Sequence, residues 1–260
     1  METTRVQLKI LPSRDALVEA AAERFVATAA AAFRARGRFL VALSGGTTPM
    51  DLYATLASDR YAGRVDWSLV HLFWGDERCV PPTDPMSNYR MAREILIDHV
   101  PLAAANVHRI RGEDDPATAA AACELEIRHV FGTPAGATMR GARFDLVLLG
   151  MGSDGHTASL FPGTPALTEH ERWVMAQYVA EVSMWRVTFT PVLINAAAEI
   201  VFLVSGHEKA AVLHQTLEGP YQPTVVPVQV VAPHDGSVCW LVDAAAAVNL
   251  TDGRPITARR

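Results

Sequence analysis

Residues 144–162 read FDLVLLGMGSDGHTASLFP, an apolar run that ends in a glycine-rich turn. Because the run from Phe144 to Leu149 is apolar almost throughout, it is typical of a strand buried on both faces of a parallel sheet. The turn that follows carries Asp154 and His156 at the end of this strand. Ligands of α/β sheets bind beyond the carboxyl ends of the strands. This stretch therefore predicts both the fold class and the place of a site.

The rest of the chain repeats the alternation of apolar strands and helical segments. We expect strands over 5–11, 39–43, 69–74, 144–149, 200–204 and 238–242, and helices from Pro12 to about residue 36 and over 50–57, 88–99, 116–131 and 208–217. Such alternation predicts a parallel or mostly parallel sheet covered by helices on both faces. With 260 residues, the whole chain, 1–260, is expected to form a single α/β domain.

Composition argues against several other classes of protein. A formal net charge of −5 supplies no basic excess for a phosphate backbone, so we expect no nucleic-acid partner. Cys79, Cys123 and Cys239 are odd in number, far apart and without CxxC spacing, which favours a reducing cytoplasm over a disulfide framework. The charged N-terminal segment and the lack of an apolar stretch of about 18 residues predict neither export nor a membrane span.

A second strand end, residues 43–49, reads LSGGTTP. Its two glycines permit a tight turn, and the amides and hydroxyls of Ser44, Gly45, Gly46 and Thr47 are suited to holding an anion at the start of a helix. The same residues also suit an ordinary helix N-cap on a tight turn. A phosphate-binding loop and a purely structural cap are both open at this point.

The third strand end, WGDER over residues 74–78, places three charged residues directly after an apolar strand. A solvated loop explains such a triplet. Its position at the carboxyl end of a strand favours a second interpretation, in which Arg78 offers a planar fork to a phosphate and Asp76 orients it.

The turn at 150–156 also matches GxGxxG, a dinucleotide-binding signal. That signal should open a long helix, but Pro162 follows soon after, and His156 would stand beside a glycine needed for close packing. A more specific hypothesis is a turn that presents His156 as a base, with Asp154 as its orienter or charge partner.

Two further segments carry candidate anion contacts. Ser205 to Lys209 again combines a hydroxyl, a glycine and a cation at a strand–helix junction, and Arg186 is a less specific candidate. No HxH or HExxH spacing occurs, so we expect no metal and no cofactor. The absence of GxSxG argues against a serine nucleophile.

Taken together, these segments resemble the 6-phosphogluconolactonase family. The resemblance rests on LSGGTTP (43–49), WGDER (74–78), VPPTDPMSNYRMARE (80–94), FDLVLLGMGSDGHTASLFPG (144–163), RVTFTPVLINAA (186–197) and FLVSGHEKA (202–210). It implies a three-layer α/β/α sandwich with a mostly parallel central sheet, related to sugar-phosphate isomerases and glucosamine-6-phosphate deaminases. It also implies hydrolysis of a phosphorylated sugar lactone in the pentose phosphate pathway. For the oligomeric state, a monomer and a weak homo-oligomer are both open.

On this resemblance we expect His156 to activate water, supported by Asp154, with Asp76 and Glu77 as the other carboxylates near it. The substrate phosphate is expected at Ser44 to Thr47, Arg78 and Lys209, with Arg186 a weaker candidate. Two alternatives stay open. One is a related deaminase, although residues 157–162 lack the glutamate that helps to open the sugar ring in those enzymes and Arg78 stands where they have Tyr. The other is a sugar-phosphate sensor without turnover.

Overall fold

Strands and helices alternate along residues 5–134 and 143–251, which the computed structural model describes. The strands are β1 (Arg5–Leu11), β2 (Phe39–Leu43), β3 (Val70–Trp74), β4 (Asp76–Arg78), β5 (Leu146–Leu149), β6 (Val174–Val179), β7 (Met184–Phe189), β8 (Glu199–Val204) and β9 (Ser237–Asp243). The α-helices are α1 (Arg14–Arg36), α2 (Thr47–Ala57), α3 (Asn88–Ile95), α4 (Pro116–Phe131), α5 (Pro191–Ile194), α6 (Ala210–Leu217) and α7 (Ala244–Ala247).

The central sheet has the strand order β1-β9-β8-β5-β2-β3, and every neighbouring pair in it is parallel. All five residues of β2 and all four of β5 are buried, as expected for strands covered on both faces. The α/β/α sandwich with a mostly parallel central sheet is confirmed. Among the described residues, no helix has both the length and the apolar character needed to cross a bilayer.

The strand order reverses between β2 and β5. The chain leaves β2 through α2 towards β3, whereas it leaves β5 towards β8 on the other side. Because crossovers between parallel strands are right-handed, these opposite directions place α1 and α2 on one face of the sheet and α6 on the other. The helices α1 and α2 contact each other, as do α6 and α7. The carboxyl ends of β2 and β5 therefore border a crevice at a topological switch point.

Helix α1 covers the sheet with alanines and one large ring. Phe25 is fully buried and meets Phe39 of β2 edge to face, with the ring centroids 5.2 Å apart. Ser13 caps the helix by accepting a hydrogen bond from the N–H of Ala16, and Gly37 ends it in the left-handed region. The predicted helix at this place therefore begins at Arg14, two residues after Pro12.

A second, antiparallel sheet of order β4-β7-β6 was absent from our sequence-based prediction. It includes the DER triplet, so the solvated-loop interpretation of that triplet is wrong. Asp76 and Glu77 are buried, because hydrogen-bond donors from neighbouring segments surround both carboxylates. Antiparallel pairing with β7 then places this short strand beside the carboxyl edge of the central sheet.

Other differences concern the ends of elements. Helix α2 begins at Thr47 instead of residue 50, and α3 ends at Ile95, followed by a separate 3₁₀ turn, Ile97–His99. The expected helix over 208–217 divides into the 3₁₀ turn His207–Lys209 and α6. The strands β3 and β5 begin one and two residues later than expected. Sequence signals locate such ends to within only a few residues.

At the outer edge of the central sheet, His71 of β3 begins a partly buried chain of titratable groups. Nδ1 of His71 lies 3.0 Å from Nε2 of His108, and Nδ1 of His108 lies 2.8 Å from Oε1 of Glu126 on α4. Burial, together with the neighbouring His108, lowers the pKa of His71 to about 4. The folded protein therefore keeps His71 neutral at pH values where an exposed histidine is charged.

This lowered pKa predicts a loss of stability in acid. Between the ordinary histidine pKa of 6.5 and about 4, unfolded His71 takes up a proton that folded His71 does not, so stability falls as the pH falls through this window. His71→Asn should show a smaller loss between about pH 7 and about pH 5, because asparagine does not titrate. Urea unfolding at both pH values measures the effect, with His170→Asn on the surface as the control. Equal pH dependence in wild type and His71→Asn contradicts the expectation.

Candidate active site

A cavity of about 640 Å³ opens at the carboxyl edge of the central sheet. The ends of β2, β5 and β8 contribute to its wall, and the small sheet adds residues from β4 and β7. Every residue that the sequence predicted for the site lines this one cavity: Ser44, Gly45, Gly46, Thr47, Asp76, Arg78, Asp154, His156, Arg186 and Lys209.

The loop after β2, residues 44–46, lines the cavity. Tyr53, which is fully buried, fixes the loop: its hydroxyl accepts a hydrogen bond from the N–H of Ser44 (2.9 Å) and donates one to the carbonyl of Ser44 (2.7 Å). Gly46 has φ +105°, a conformation that side chains disfavour. The turn then directs the chain into α2, whose first residue is Thr47.

The start of α2 lacks a side-chain cap, as does that of the shorter helix α6. Side-chain oxygens cap α1, α3 and α4, contributed by Ser13, Ser87 and Asp115, whereas no side chain caps α2 at Gly46. The first N–H groups of a helix have no partners within the helix and favour an anion. The uncapped start of α2 therefore fits the phosphate-loop interpretation better than the structural-cap interpretation.

Two arginines face each other across the small sheet. Arg78 on β4 and Arg186 on β7 are direct partners in the antiparallel register. Like charges in that position repel each other. The Nε atoms of both side chains are buried and have no hydrogen-bond partner within the described residues. Burial, opposed by the attraction of Asp76, lowers the pKa of Arg186. An anion bound between the two guanidinium groups would relieve both the repulsion and the unpaired donors.

The two carboxylates of the DER triplet already have protein partners. Oδ2 of Asp76 accepts a hydrogen bond from the hydroxyl of Ser159 at 2.6 Å and lies 3.9 Å from a guanidinium nitrogen of Arg186. Glu77 accepts hydrogen bonds from backbone N–H groups, including that of Asn88, and burial raises its pKa. Neither carboxylate contacts His156: Asp76 lines the cavity, whereas Glu77 is buried behind it and does not.

Asp154 and His156 form a close pair in the turn after β5. Nδ1 of His156 lies 2.5 Å from Oδ1 of Asp154, and the imidazole stacks on Phe161 with the ring centroids 4.1 Å apart. A Cβ atom on Gly152 would lie 2.1 Å from Nδ1 of His156 and 2.3 Å from Oδ1 of Asp154. Glycine is therefore required at position 152 because the pair packs against the backbone there.

The pair also defines the chemistry of the imidazole. Burial raises the pKa of Asp154, but hydrogen bonding and attraction from His156 outweigh it, so the net shift is downward from 3.8. An ionised carboxylate only accepts hydrogen bonds, so Nδ1 carries the proton and Nε2 of a neutral ring is free to accept one. The GxGxxG match does not open a helix: from Gly150 to Thr164 the chain forms turns and a single β-bridge. The dinucleotide interpretation is therefore wrong.

Lys209 approaches the cavity from the turn after β8. Asp243 holds this turn by accepting hydrogen bonds from the hydroxyl of Ser205 (2.5 Å) and the N–H of Gly206 (3.2 Å). The backbone N–H of Lys209 donates to the carbonyl of Gly206, but its side chain makes no hydrogen bond or ion pair with any described residue. Its ammonium group is thus available to a ligand, although the carboxylate of Glu208 also lines the cavity.

Sequence reasoning missed several residues of the cavity wall. Arg14 reaches it from the start of α1, and Glu181 lies at the tip of the β6–β7 hairpin. Asn88 was part of a quoted motif but was assigned no role. No role was predicted for Phe161, although its ring stacks on His156. The SNYR stretch after the DER triplet is the signal that pointed towards Asn88.

Known proteins of similar sequence fall into one family. The family described as glucosamine-6-phosphate isomerases/6-phosphogluconolactonase matches residues 12–240. The chain is 37% identical over 245 residues to a 6-phosphogluconolactonase of Nostoc sp., and the match covers 94% of this chain and 98% of the relative.

Solved structures agree with this assignment. A 6-phosphogluconolactonase from Trypanosoma cruzi superposes with a TM-score of 0.82 at 30% identity, covering 96% of this chain and 98% of that one. A monomeric glucosamine-6-phosphate deaminase gives a TM-score of 0.76 at 20% identity, covering 94% of this chain and 99% of that one. The second likeness concerns the fold alone.

The close packing at Gly152 predicts how the pair responds to an added methyl group. Gly152→Ala should separate His156 from Asp154, because the new Cβ atom overlaps both side chains. The short hydrogen bond should shift the imidazole Nδ1 proton of the wild type far downfield in NMR spectra, and Gly152→Ala should lose that shift. Gly63→Ala is the matched control, since a Cβ there meets nothing within 4 Å. An unchanged proton resonance in Gly152→Ala contradicts the expectation.

Proposed function

The chain belongs to the family of glucosamine-6-phosphate isomerases and 6-phosphogluconolactonases, and from that premise we propose that His156 is the base with which it hydrolyses 6-phospho-D-glucono-1,5-lactone. The product is 6-phospho-D-gluconate, and the reaction belongs to the oxidative pentose phosphate pathway. The observation that carries the proposal is the Asp154–His156 pair, at 2.5 Å, in the same cavity as the opposed Arg78 and Arg186.

The pair supplies the proton transfers that lactone hydrolysis needs. Nε2 of His156 accepts a proton from water as the water oxygen forms its bond to C1, and the carbonyl oxygen becomes an oxyanion. Collapse of this intermediate breaks the bond between C1 and the ring oxygen, and the imidazolium returns its proton to that oxygen. Asp154 keeps the ring in the required tautomer and stabilises the imidazolium while it is charged.

The opposite wall supplies the phosphate contacts. In this proposal the opposed Arg78 and Arg186 hold the phosphate together with Lys209 and the N–H groups at the start of α2. Phosphate binding at C6 then fixes the lactone ring with C1 near His156, and this positioning lowers the barrier to attack.

We extend the proposal to the partner, cellular location, oligomeric state and domain organisation of the enzyme. A small phosphorylated lactone is its partner, and we infer action in the cytoplasm, without nucleic acid or membrane, as a monomer or weak homo-oligomer and as one α/β domain over residues 1–260. The net charge of −5 and the free thiols of Cys79, Cys123 and Cys239 support this setting.

His156→Asn tests the base. Asparagine is similar in size but accepts no proton near neutral pH, so kcat should fall by roughly two to four decades while affinity for 6-phosphogluconate changes by only about several fold. The assay generates the lactone in place with a dehydrogenase, follows its loss and subtracts spontaneous hydrolysis. A variant that retains most of its kcat removes His156 from the role of base.

An ammonium assay and the lactone assay together separate the two alternative functions. A deaminase releases ammonium from glucosamine 6-phosphate, and we expect none from the wild type. A sensor binds 6-phosphogluconate but leaves lactone loss at the spontaneous rate, in wild type as well as in His156→Asn.

Lys209→Ala tests the phosphate wall. Loss of a charge-assisted contact from a partly exposed site should weaken binding of 6-phosphogluconate by roughly one to two decades. The slow hydrolysis of unphosphorylated gluconolactone should be unchanged, because that substrate has no phosphate group for Lys209 to contact. Lys9→Ala on the exposed side of β1 is the matched lysine control. Titration calorimetry gives the affinities, and wild-type affinity in Lys209→Ala contradicts this placement of the phosphate.

A further inference from the structure

Asn88 links the loop after β2 to the charged wall of the cavity. It is the first residue of α3 and is 2% exposed. Its side-chain amide donates hydrogen bonds to the carbonyl oxygen of Asp76 at 2.9 Å and to Oδ1 of Asp76 at 3.3 Å. Because both partners are acceptors, the NH₂ group must face them, and the amide oxygen faces the other way.

On that other side the amide packs against Gly45. A Cβ atom on residue 45 would lie 2.0 Å from Oδ1 of Asn88, 2.7 Å from its Cγ and 3.0 Å from its Nδ2. Gly46 is required by its φ of +105°, but Gly45 does not share that left-handed conformation. The two adjacent glycines therefore serve different purposes: Gly46 permits the turn, and Gly45 leaves room for the amide of Asn88.

Glu77 fixes the position of Asn88 by accepting hydrogen bonds from residues at the start of α3. Its Oε1 accepts hydrogen bonds from the N–H groups of Arg78 and Asn88, both at 2.8 Å. Its Oε2 accepts from the N–H of Tyr89 at 2.8 Å and from the hydroxyl of Ser87 at 3.0 Å. These four donors fill the acceptor positions of the carboxylate, so the buried anion fixes the start of α3.

We propose that Asn88 is a positioning residue, which sets the spacing between the N–H groups of the Gly45–Gly46 loop and the cluster formed by Asp76 and Arg186. The inference rests on the proposed function, because that spacing matters only if one phosphate touches both sides. Asp76 lies between the two sides: it accepts from Asn88 and from Ser159 and lies 3.9 Å from Arg186. Asn88 thus acts through the groups that hold the phosphate.

A double-mutant cycle tests this spacing role. Gly45→Ala should raise KM by about tenfold or more with kcat within about threefold, because its Cβ displaces Asn88 and with it the loop. Asn88→Ala should raise KM by roughly threefold to tenfold. In Gly45→Ala/Asn88→Ala the Cβ has room, so KM should fall below the product of the two single effects by about threefold or more. Single effects that simply multiply overturn the proposal.

Binding measurements separate this inference from the proposed function. Calorimetric titration with 6-phosphogluconate and with inorganic phosphate should show the same coupling without any turnover. If the wild type does not hydrolyse the lactone but the coupling appears in phosphate binding, the proposed function fails and the spacing role stands. If the wild type hydrolyses the lactone and the coupling is absent from KM and from both titrations, the spacing role fails alone.

Stability is controlled separately. Gly63→Ala and Asn106→Ala are the matched controls, on the surface and away from the cavity. Thermal unfolding of each variant measures whether the two substitutions are coupled in their effect on stability. Coupling in stability without coupling in KM or in binding contradicts the proposal. Should Gly45→Ala not fold, Asn88→Asp tests the same link. It keeps the size of the side chain but replaces both donors with a negative charge beside Asp76, so KM should rise, and a wild-type KM overturns the proposal.

Discussion

The site depends on the register between β2 and β5, and one buried carboxylate fixes that register. Asp145, 2% exposed, accepts a hydrogen bond from the N–H of Leu40 at 2.8 Å, and its own N–H donates to the carbonyl of Leu40 at 2.9 Å. Arg36 at the end of α1 pairs with the same carboxylate. A slip of one residue would turn the buried side chains of β5 to the opposite faces. The pairing thereby keeps the loop after β2 beside the turn that carries His156.

The small sheet brings to this crevice the charges that the central sheet lacks. Placing Arg78 directly opposite Arg186 costs stability while the cavity holds no anion, since the guanidinium groups repel each other and their buried Nε atoms lack partners. Asp76 offsets part of this cost from 3.9 Å. If a phosphate binds there as proposed, it relieves the rest of this cost, so the contact that destabilises the protein alone would strengthen its complex. Violations of local stability rules are expected at functional sites for this reason.

The sequence identified the elements whose signals are local. Apolar strands such as β2 and β5 and the histidine of the DGH turn were all predictable, because periodicity and glycine placement reveal them. The small sheet was not predictable, because a DER triplet alone is typical of a solvated loop. Glu77 of this triplet is buried because residues 78 and 87–89 donate hydrogen bonds to it. The need for glycine at position 45 could not be predicted either, because it comes from the packing of Asn88, 43 positions later in the chain. Both features depend on contacts between segments that are distant in the sequence.

The division of groups around the cavity follows from the chemistry of the substrate. A lactone is an activated ester, so one oriented base suffices for attack at C1, and in the proposed function His156, oriented by Asp154, is that base. In the proposed function the remaining polar groups of the cavity, among them Arg78, Arg186 and Lys209, contact the substrate phosphate, which does not change during the reaction. Contacts to such a group accelerate the reaction only by holding C1 against the base, because they are equally strong before and during attack. On this proposal, rigid spacing among the groups that hold the phosphate contributes more than additional charge, and the buried hydrogen bonds of Asp76, Glu77 and Asn88 are suited to that purpose.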